Sequence, residues 1–383
     1  MTDSIRLGLC CIFRDEPIKF RNTTVTYCKK LTKKERYQKL ADLCRTNAVA
    51  LQDAFQYCVK YGIGCFRVNS QILPVKTHVD VGYELEDLPG GEELLDLFQA
   101  CGEYAREQSL RVCFHPDQFV VMNSPREEVV ERSILELEYQ SEVAEWIGAD
   151  VVNIHGGGAY GDKTKALDSF AKNLDRLSAR VRSRLTVEND DVTYTPEDLL
   201  PLCRQEGIPL VYDAHHHRCN QDDFSVEEAT TAAIKTWNRE PLFHLSSPIE
   251  GWEGKNPRRH HDFIDLLDFP DCWRPLEITV EVEAKAKELA VLRLQKQLKE
   301  QWYVYLLRCA DDSLYTGITN DSSRRLAQHQ SGKASRYTRS RLPVAMVYRE
   351  PQKTKGLALQ RELTIKSYSR QKKEALIKTG KLD

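Results

Sequence analysis

The sequence predicts an α/β protein, a TIM (β/α)8 barrel followed by a small α/β domain, and three observations carry that expectation. Eight apolar runs of strand length alternate with segments whose apolar residues recur at three and four. Residues able to ligate metals stand at the same end of six successive runs. From residue 301 onward the charge balance reverses, with 17 Lys+Arg against 7 Asp+Glu, where the preceding part carries 38 against 50.

The first run is IRLGLCCIF (5–13), and KKERYQKLADLCRTNAVALQDAFQYCVKY after it has the one-sided pattern of a helix. CFRVN (65–69) and RVCFH (111–115) are the second and third runs. EEVVERSILELEYQSEVAEWIG is again helical and leads into DVVNIH (150–155). LTVEND (185–190) and PLVYD (209–213) follow, then the helical VEEATTAAIKTW, then LFHLSS (242–247) and LEITVEVE (276–283). A last helix around 284–300 closes the barrel. The expected division is therefore a barrel over 1–283, a closing helix and linker over 284–300, and a small domain over 301–383.

At 383 residues the chain accommodates a large barrel plus a small module, and 41% hydrophobic with 29% charged residues fits a real core under a charged surface. No run of 18 apolar residues exists, and MTDSIRLGLCCIF lacks a basic region followed by a long apolar stretch, so no membrane partner and a cytoplasmic location are expected. The twelve cysteines include no C-x-x-C pair, and several sit inside strand runs, as buried reduced thiols do. The net charge of −2 conceals an acidic first part and a basic last part, and only the second advertises a polyanionic partner.

The polar groups that end the runs carry the chemistry. His115 ends the third, His155 the fourth, Glu188 the fifth and Asp213 the sixth; His244 lies in the seventh and Glu283 near the end of the eighth. A lone strand-end histidine is more often a satisfied core or surface residue. In a parallel barrel, however, all these ends converge on one face, where such folds carry their active sites. Imidazoles mixed with carboxylates suit Zn, Mn or Fe better than Ca, which takes oxygen ligands. In PLVYDAHHHRC (209–219), Asp213 and His216 can reach different ions, while the roles of His215 and His217 stay open.

The barrel part resembles the UV damage endonuclease family (UvdE/UvsE), itself similar to endonuclease IV in fold and metal arrangement. IRLG, FRVNSQILP followed by His78, FHPDQFVVMNS, NIHGGGAYGDK, TVEND, PLVYDAHHHRCN, HLSSP, RRHHDF and VEAKAKEL carry the resemblance over about residues 4–295. It implies His78, His115, His155, Glu188, Asp213, His216, His244, His260 and Glu283 as ligands of two or three divalent ions, with Mn2+ ahead of Zn2+ or Mg2+. It also implies incision of DNA 5′ to a UV-type lesion, with Gln118 and Phe119 entering the damaged duplex where bases are flipped out. Three positions depart from the family. Phe119 stands where tyrosine is usual, Leu9 where an aromatic is expected, and Leu242 replaces a lysine that can be carboxylated into a metal ligand. The third metal position and the lesion preference are what these departures touch, so abasic or other modified nucleotides are alternative substrates.

The tail WYVYLLRCADDSLYTGITNDSSRRLAQHQ reads as a strand, a turn at DDS, a second strand and a helix from about Ser322. It resembles the GIY-YIG nuclease superfamily, in the small UvrC N-terminal/Slx1-like branch, through YVYLLRC, YTGITND, RRLAQH and RELTIK over residues 302–380. The resemblance implies Tyr305, Tyr315, Arg325, His329 and Glu362 as catalytic residues, with Tyr305 or Tyr315 helping to activate water, Arg325 stabilising phosphate charge and Glu362 holding one Mg2+ or Mn2+. Arg336, Arg339, Arg341 and Lys333 form a backbone-positioning patch. The expectation is a DNA repair endonuclease acting on damaged double-stranded DNA, with a second nuclease domain and other repair proteins as possible partners. The competing classes are a metal-dependent barrel isomerase and a DNA-binding scaffold.

Overall fold

A computed structural model of the chain describes residues 5–379. Its larger part is a closed barrel of eight parallel strands in sequential order. The strands are β1 (Ile5–Cys10), β2 (Cys65–Val68), β3 (Arg111–Phe114), β4 (Val151–His155), β5 (Leu185–Glu188), β6 (Leu210–Asp213), β7 (Leu242–Leu245) and β8 (Ile278–Val282). Closure comes from β1 pairing with β8 from Ile5↔Ile278 to Leu9↔Val282. Every expected run is present, and most are shorter than their apolar stretch. The first stops at Cys10 because Cys11 turns into the left-handed region at φ 64°.

The helices form where the sequence supplies both a start signal and an apolar stripe. Thr32 and Glu35 make a capping box for Lys33–Lys60, whose Leu40, Leu43, Cys44, Leu51, Phe55 and Cys58 are buried. Each such side chain contributes roughly 1.5–3 kcal/mol when buried. Thr195 caps Pro196–Glu206 in the same way, with proline at the first helical position, where its missing N–H costs nothing. Inside the barrel, Cys65, Cys113, Val151, Val211 and Leu242 pack into one cluster. All twelve cysteines are unpaired and nine are buried, as expected.

The strand–helix junction at β6 explains the histidine triplet. Asp213 ends the strand and caps the short helix Ala214–Cys219, its Oδ1 accepting from the His216 backbone N–H at 2.7 Å. One helical turn then sends the three imidazoles in three directions. His217 is tied off structurally, Nδ1 lying 2.8 Å from the Tyr212 hydroxyl and Nε2 2.8 Å from Asp222 Oδ1. His215 is buried against Trp252 and His260. Only His216 reaches the rim.

The chain divides into two compact units at Leu292/Arg293, within the helix Glu288–Glu300. The second unit is built on a three-stranded antiparallel sheet in the order β10 (Leu314–Thr319), β9 (Trp302–Cys309), β11 (Val344–Gln352). Alternation along β9 sorts its side chains onto two faces. Val304 and Leu306 pack with Ala358, Ile365 and Leu376 of the helices Lys355–Ser367 and Arg370–Thr379. Tyr305, Leu307 and Cys309 pack on the other face with Leu326 of the helix Ser322–Gln330. β11 went unrecognised in the sequence because VAMVYREPQ mixes charges and a proline into an edge strand, and a bulge at Met346/Tyr348 interrupts its period. Among the described residues no helix is long and apolar enough to cross a membrane.

Candidate functional site

The strand ends of the barrel converge around Glu188, which is 1% exposed. His115 Nε2 lies 2.9 Å from its Oε2, His244 Nδ1 3.1 Å from Oε2 and His216 Nδ1 3.1 Å from Oε1. The His155 ring centroid is 5.1 Å from that of His115 and 5.9 Å from that of His216. Asn153 donates to Glu188 Oε2 at 2.6 Å and accepts from Thr186 Oγ1 at 2.9 Å, which fixes the carboxylate from below. The ligand atoms fall into three overlapping groups: His115, His155 and Glu188; His115, His244 and Glu283; and Glu188, Asp213 and His216. His115 and Glu188 each belong to two of them, the arrangement that neighbouring cations sharing ligands require.

The electrostatics are those of a site built around positive charge. Burial pushes the Glu188 carboxyl up, but His244 and His155 outweigh it and hold the group well below the usual carboxylate range. For His244, burial lowers the pKa while Glu188 raises it, and the balance lies at about 10. His155 is lowered, mainly by burial. The fit to a metal is decided by the atoms these groups leave unused. His155 Nδ1, Glu188 Oε1, Asp213 Oδ2 and His244 Nδ1 are buried and make no hydrogen bond. A buried polar atom left without a partner costs about 1–3 kcal/mol, so four of them on residues of the three ligand groups mark a place for something outside the chain. Nitrogen and carboxylate donors in that mixture suit a divalent transition ion.

Not every expected ligand joins the cluster. His260 stands at its edge, Nδ1 3.0 Å from Ser246 Oγ and 3.9 Å from Glu283 Oε2. His78 falls in none of the three groups; its Nδ1 accepts from the Asp80 backbone N–H at 3.1 Å, and it lines a cleft of about 960 Å3 beside the rim. Phe119 lines the same cleft and is 76% exposed, an unusual placement for a phenyl ring, while Gln118 before it is also exposed. Leu9 and Leu242 are completely buried and present nothing polar to the rim. Lys235 caps the outer helix Val226–Ile234 and is exposed.

Two residues at the centre escaped the sequence reading. Arg67 donates to Glu281 Oε2 from Nε at 2.8 Å and to Glu283 Oε1 from Nη2 at 2.6 Å. Glu281 is 1% exposed and lies 2.8 Å from His244 Nε2. A charged residue inside each of two apolar runs, CFRVN and ITVEV, was the available signal. In the second, period-two alternation places Glu281 and Glu283 on one face.

The second unit has its own polar cluster. The Tyr305 hydroxyl lies 2.9 Å from His329 Nε2 and accepts from Arg325 Nε at 3.2 Å. His329 Nδ1 is 2.7 Å from Thr338 Oγ1, and Thr338 donates its own proton to the Ser335 carbonyl at 3.2 Å. Thr338 is therefore the acceptor, His329 carries its proton on Nδ1, and Nε2 is left to accept from Tyr305. Burial and then Arg325 lower the His329 pKa to about 4, and burial pushes the Tyr305 phenol up to about 12. Tyr315 packs against this pair, 5.1 Å from the His329 ring. Gly317 makes room for the phenol, since a Cβ there would sit 2.5 Å from its oxygen. Glu362 is paired with Lys366 at 3.0 Å and adds negative charge near Tyr305.

Comparison with known proteins decides the family. The profile of UV-endonuclease UvdE matches residues 5–307. The chain belongs to the UV-endonuclease family. A UV DNA damage endonuclease of Bacillus velezensis (strain DSM 23117 / BGSC 10A6 / LMG 26770 / FZB42) is 35% identical over 302 residues, covering 75% of this chain and 91% of that protein. A UV DNA damage endonuclease of Bacillus cereus (strain Q1) is 34% identical over 289 residues, covering 73% and 89%. The crystal structure of SacUVDE aligns with a TM-score of 0.69 at 28% identity over 77% of this chain and 98% of that one. Endonuclease IV from Thermus thermophilus shares the fold, with a TM-score of 0.50 at 15% identity over 76% and 96%. The GIY-YIG catalytic domain profile matches residues 301–375. This member of the UV-endonuclease family is a DNA-cleaving hydrolase with candidate His/Glu metal-binding groups in its barrel, fused to a GIY-YIG domain.

Proposed function

We propose that the barrel incises one strand of damaged duplex DNA 5′ to a UV-type lesion, using divalent cations held by His115, His155, Glu188, Asp213, His216, His244 and Glu283. His78 and His260 serve the same centre from its flanks. The observation that supports this most is the set of buried polar atoms without hydrogen bonds on four of the residues gathered at the strand ends. Mn2+ is the first choice of ion, with Zn2+ and Mg2+ next. Such a cation, when bound, lowers the pKa of a water and offsets charge on the scissile phosphate. Glu188 and His115 hold adjacent positions together, and Asn153 keeps the Glu188 carboxylate oriented.

The exposed Phe119 and Gln118 enter the duplex and fill the space that displaced bases leave. Arg259, Lys285 and Lys287 line a second cavity of about 390 Å3 with His260 and Glu283, and guide the phosphate backbone past the centre. Phe119 and Leu242 favour a second reading of the substrate, an abasic or otherwise modified nucleotide. In the tail, the Tyr305 hydroxyl, held by its hydrogen bond to His329 Nε2, helps activate the attacking water together with Tyr315. Arg325 stabilises phosphate charge, and Glu362 holds one Mg2+ or Mn2+. The tail then makes a second cut beside the lesion.

The deciding experiment is a Mn2+ titration on duplexes carrying a pyrimidine dimer, an abasic site or no lesion. Incision 5′ to the dimer is expected. A protein that binds Mn2+ and cuts none of the three overturns the reading of the barrel.

A further inference from the structure

We propose that Glu281 is a positioning residue of the metal centre: it holds the His244 imidazole with Nε2 turned toward itself and Nδ1 presented to the cation. This inference rests on the metal-centre reading above and goes one step into it.

A neutral imidazole has one N–H and one lone pair, so the partner of one nitrogen dictates what the other can do. His244 is completely buried, and its two nitrogens face different groups. Nδ1 points at the cluster, 3.1 Å from Glu188 Oε2 and 3.5 Å from Glu283 Oε1, and makes no hydrogen bond. Nε2 lies 2.8 Å from Glu281 Oε2. Arg67 Nη2 is also 3.2 Å from Nε2, but its two hydrogens are committed to Glu281 Oε2 at 2.5 Å and Glu283 Oε1 at 2.6 Å. The proton between Nε2 and Glu281 therefore belongs to Nε2, and Nδ1 is the nitrogen at which a cation takes the place of a proton.

The barrel interior is shaped to keep that carboxylate in place. Cys113 donates to Glu281 Oε1 at 3.0 Å, and Arg67 Nε donates to Oε2 at 2.8 Å. Gly8 on the neighbouring strand leaves the space it occupies, since a Cβ there would come within 3.3 Å of Glu281 Cγ and 3.2 Å of Cys65 Cβ. Cys65, Cys113 and Glu281 also converge closely enough to hold an ion. The guanidinium of Arg67 already supplies positive charge to this carboxylate, and burial drives the Cys113 thiol well above its usual range, so this triple is a support and not a second metal site. Leu242 on the adjacent strand offers no polar atom, which leaves Glu281 as the anionic support on this side of the centre.

The full-length protein labelled with 15N-histidine and loaded with Zn2+, a diamagnetic probe, tests this directly. Long-range 15N–1H correlation, with the His244 signals identified by their loss in His244→Gln, should show a proton on Nε2 and metal on Nδ1; the reverse overturns the proposal. In parallel, free Mn2+ is followed by EPR during titration of the wild type, Glu281→Gln and Glu281→Leu without DNA. Glu281→Leu should weaken one class of sites by about 10–100-fold while sparing another, and Glu281→Gln, which keeps an acceptor, should lose less. Wild-type affinity in a folded Glu281→Leu, shown by circular dichroism, overturns the proposal. Should neither variant fold, the NMR measurement on the wild type decides. A wild type that binds neither ion would instead refute the metal-centre reading itself.

Discussion

The barrel rim and the tail cluster solve the problem of buried polar groups in opposite ways. At the rim, His155, Glu188, Asp213 and His244 each leave a buried atom without a hydrogen bond. In the tail, Arg325, Tyr305, His329, Thr338 and the Ser335 carbonyl form one chain in which every link is made within the domain. The first site is a candidate for an external cation, whereas the hydrogen bonds of the second close on themselves. The difference teaches where each is vulnerable: the rim to the loss of an ion, the tail to the loss of a proton position.

Glu188→Gln tests the rim most severely, because it removes the charge that three imidazoles face. Incision by the barrel should fall by at least on the order of 10²–10³-fold, and Mn2+ bound per chain, measured by elemental analysis, should drop. Cutting that depends on Glu362 should persist; its parallel loss would break the contrast between the sites. Next in size is stabilisation by metal. At about one hundred times its dissociation constant, a cation should add roughly 2.7 kcal/mol to the barrel, seen as a calorimetric transition that rises with Mn2+ and falls with chelator. A second transition, from the tail, should move less, because Glu362 alone holds an ion there.

Acid should act the other way round. His329 titrates near 6.5 in the unfolded chain and near 4 in the fold, so the unfolded state binds the extra proton between these values. The contribution of this group to stability is complete above about pH 6.5 and is lost as pH falls toward 4. A tail melting temperature in His329→Gln with the same pH dependence as the wild type would contradict this. Thr338→Val removes the group that keeps the His329 proton on Nδ1, so cleavage by the tail should fall about tenfold with barrel incision unchanged. The smallest effect concerns the rim's flank. Arg259→Gln with Lys285→Gln should flatten the salt dependence of duplex binding by about 0.9 in log–log slope for each phosphate no longer neutralised. An unaltered slope would remove those side chains from the DNA path.

Much of both sites could be read along the chain, because strand-end chemistry in a parallel barrel is a matter of position. His115, His155, Glu188, Asp213 and His244 each stand at or near the end of a run, and each arrives at the cluster. The triplet His215, His216 and His217 could not be sorted in the same way, since one turn of helix decides which imidazole faces the rim. Arg67 and Glu281 were missed for a related reason. Each is one charge inside an apolar run, and they meet 214 positions apart only because β1 and β8 close the barrel.

By itself the sequence determined the alternation of strands and helices, the change to a basic antiparallel module after the barrel, and the residue types at each strand end. Those follow from side-chain periodicity and composition, which are local. Only the tertiary structure decided which lone pairs meet, which stay unpaired and which carboxylate backs which histidine. Hydrogen-bond geometry over about 3 Å depends on closure and packing between segments far apart in the chain, and no local pattern encodes it.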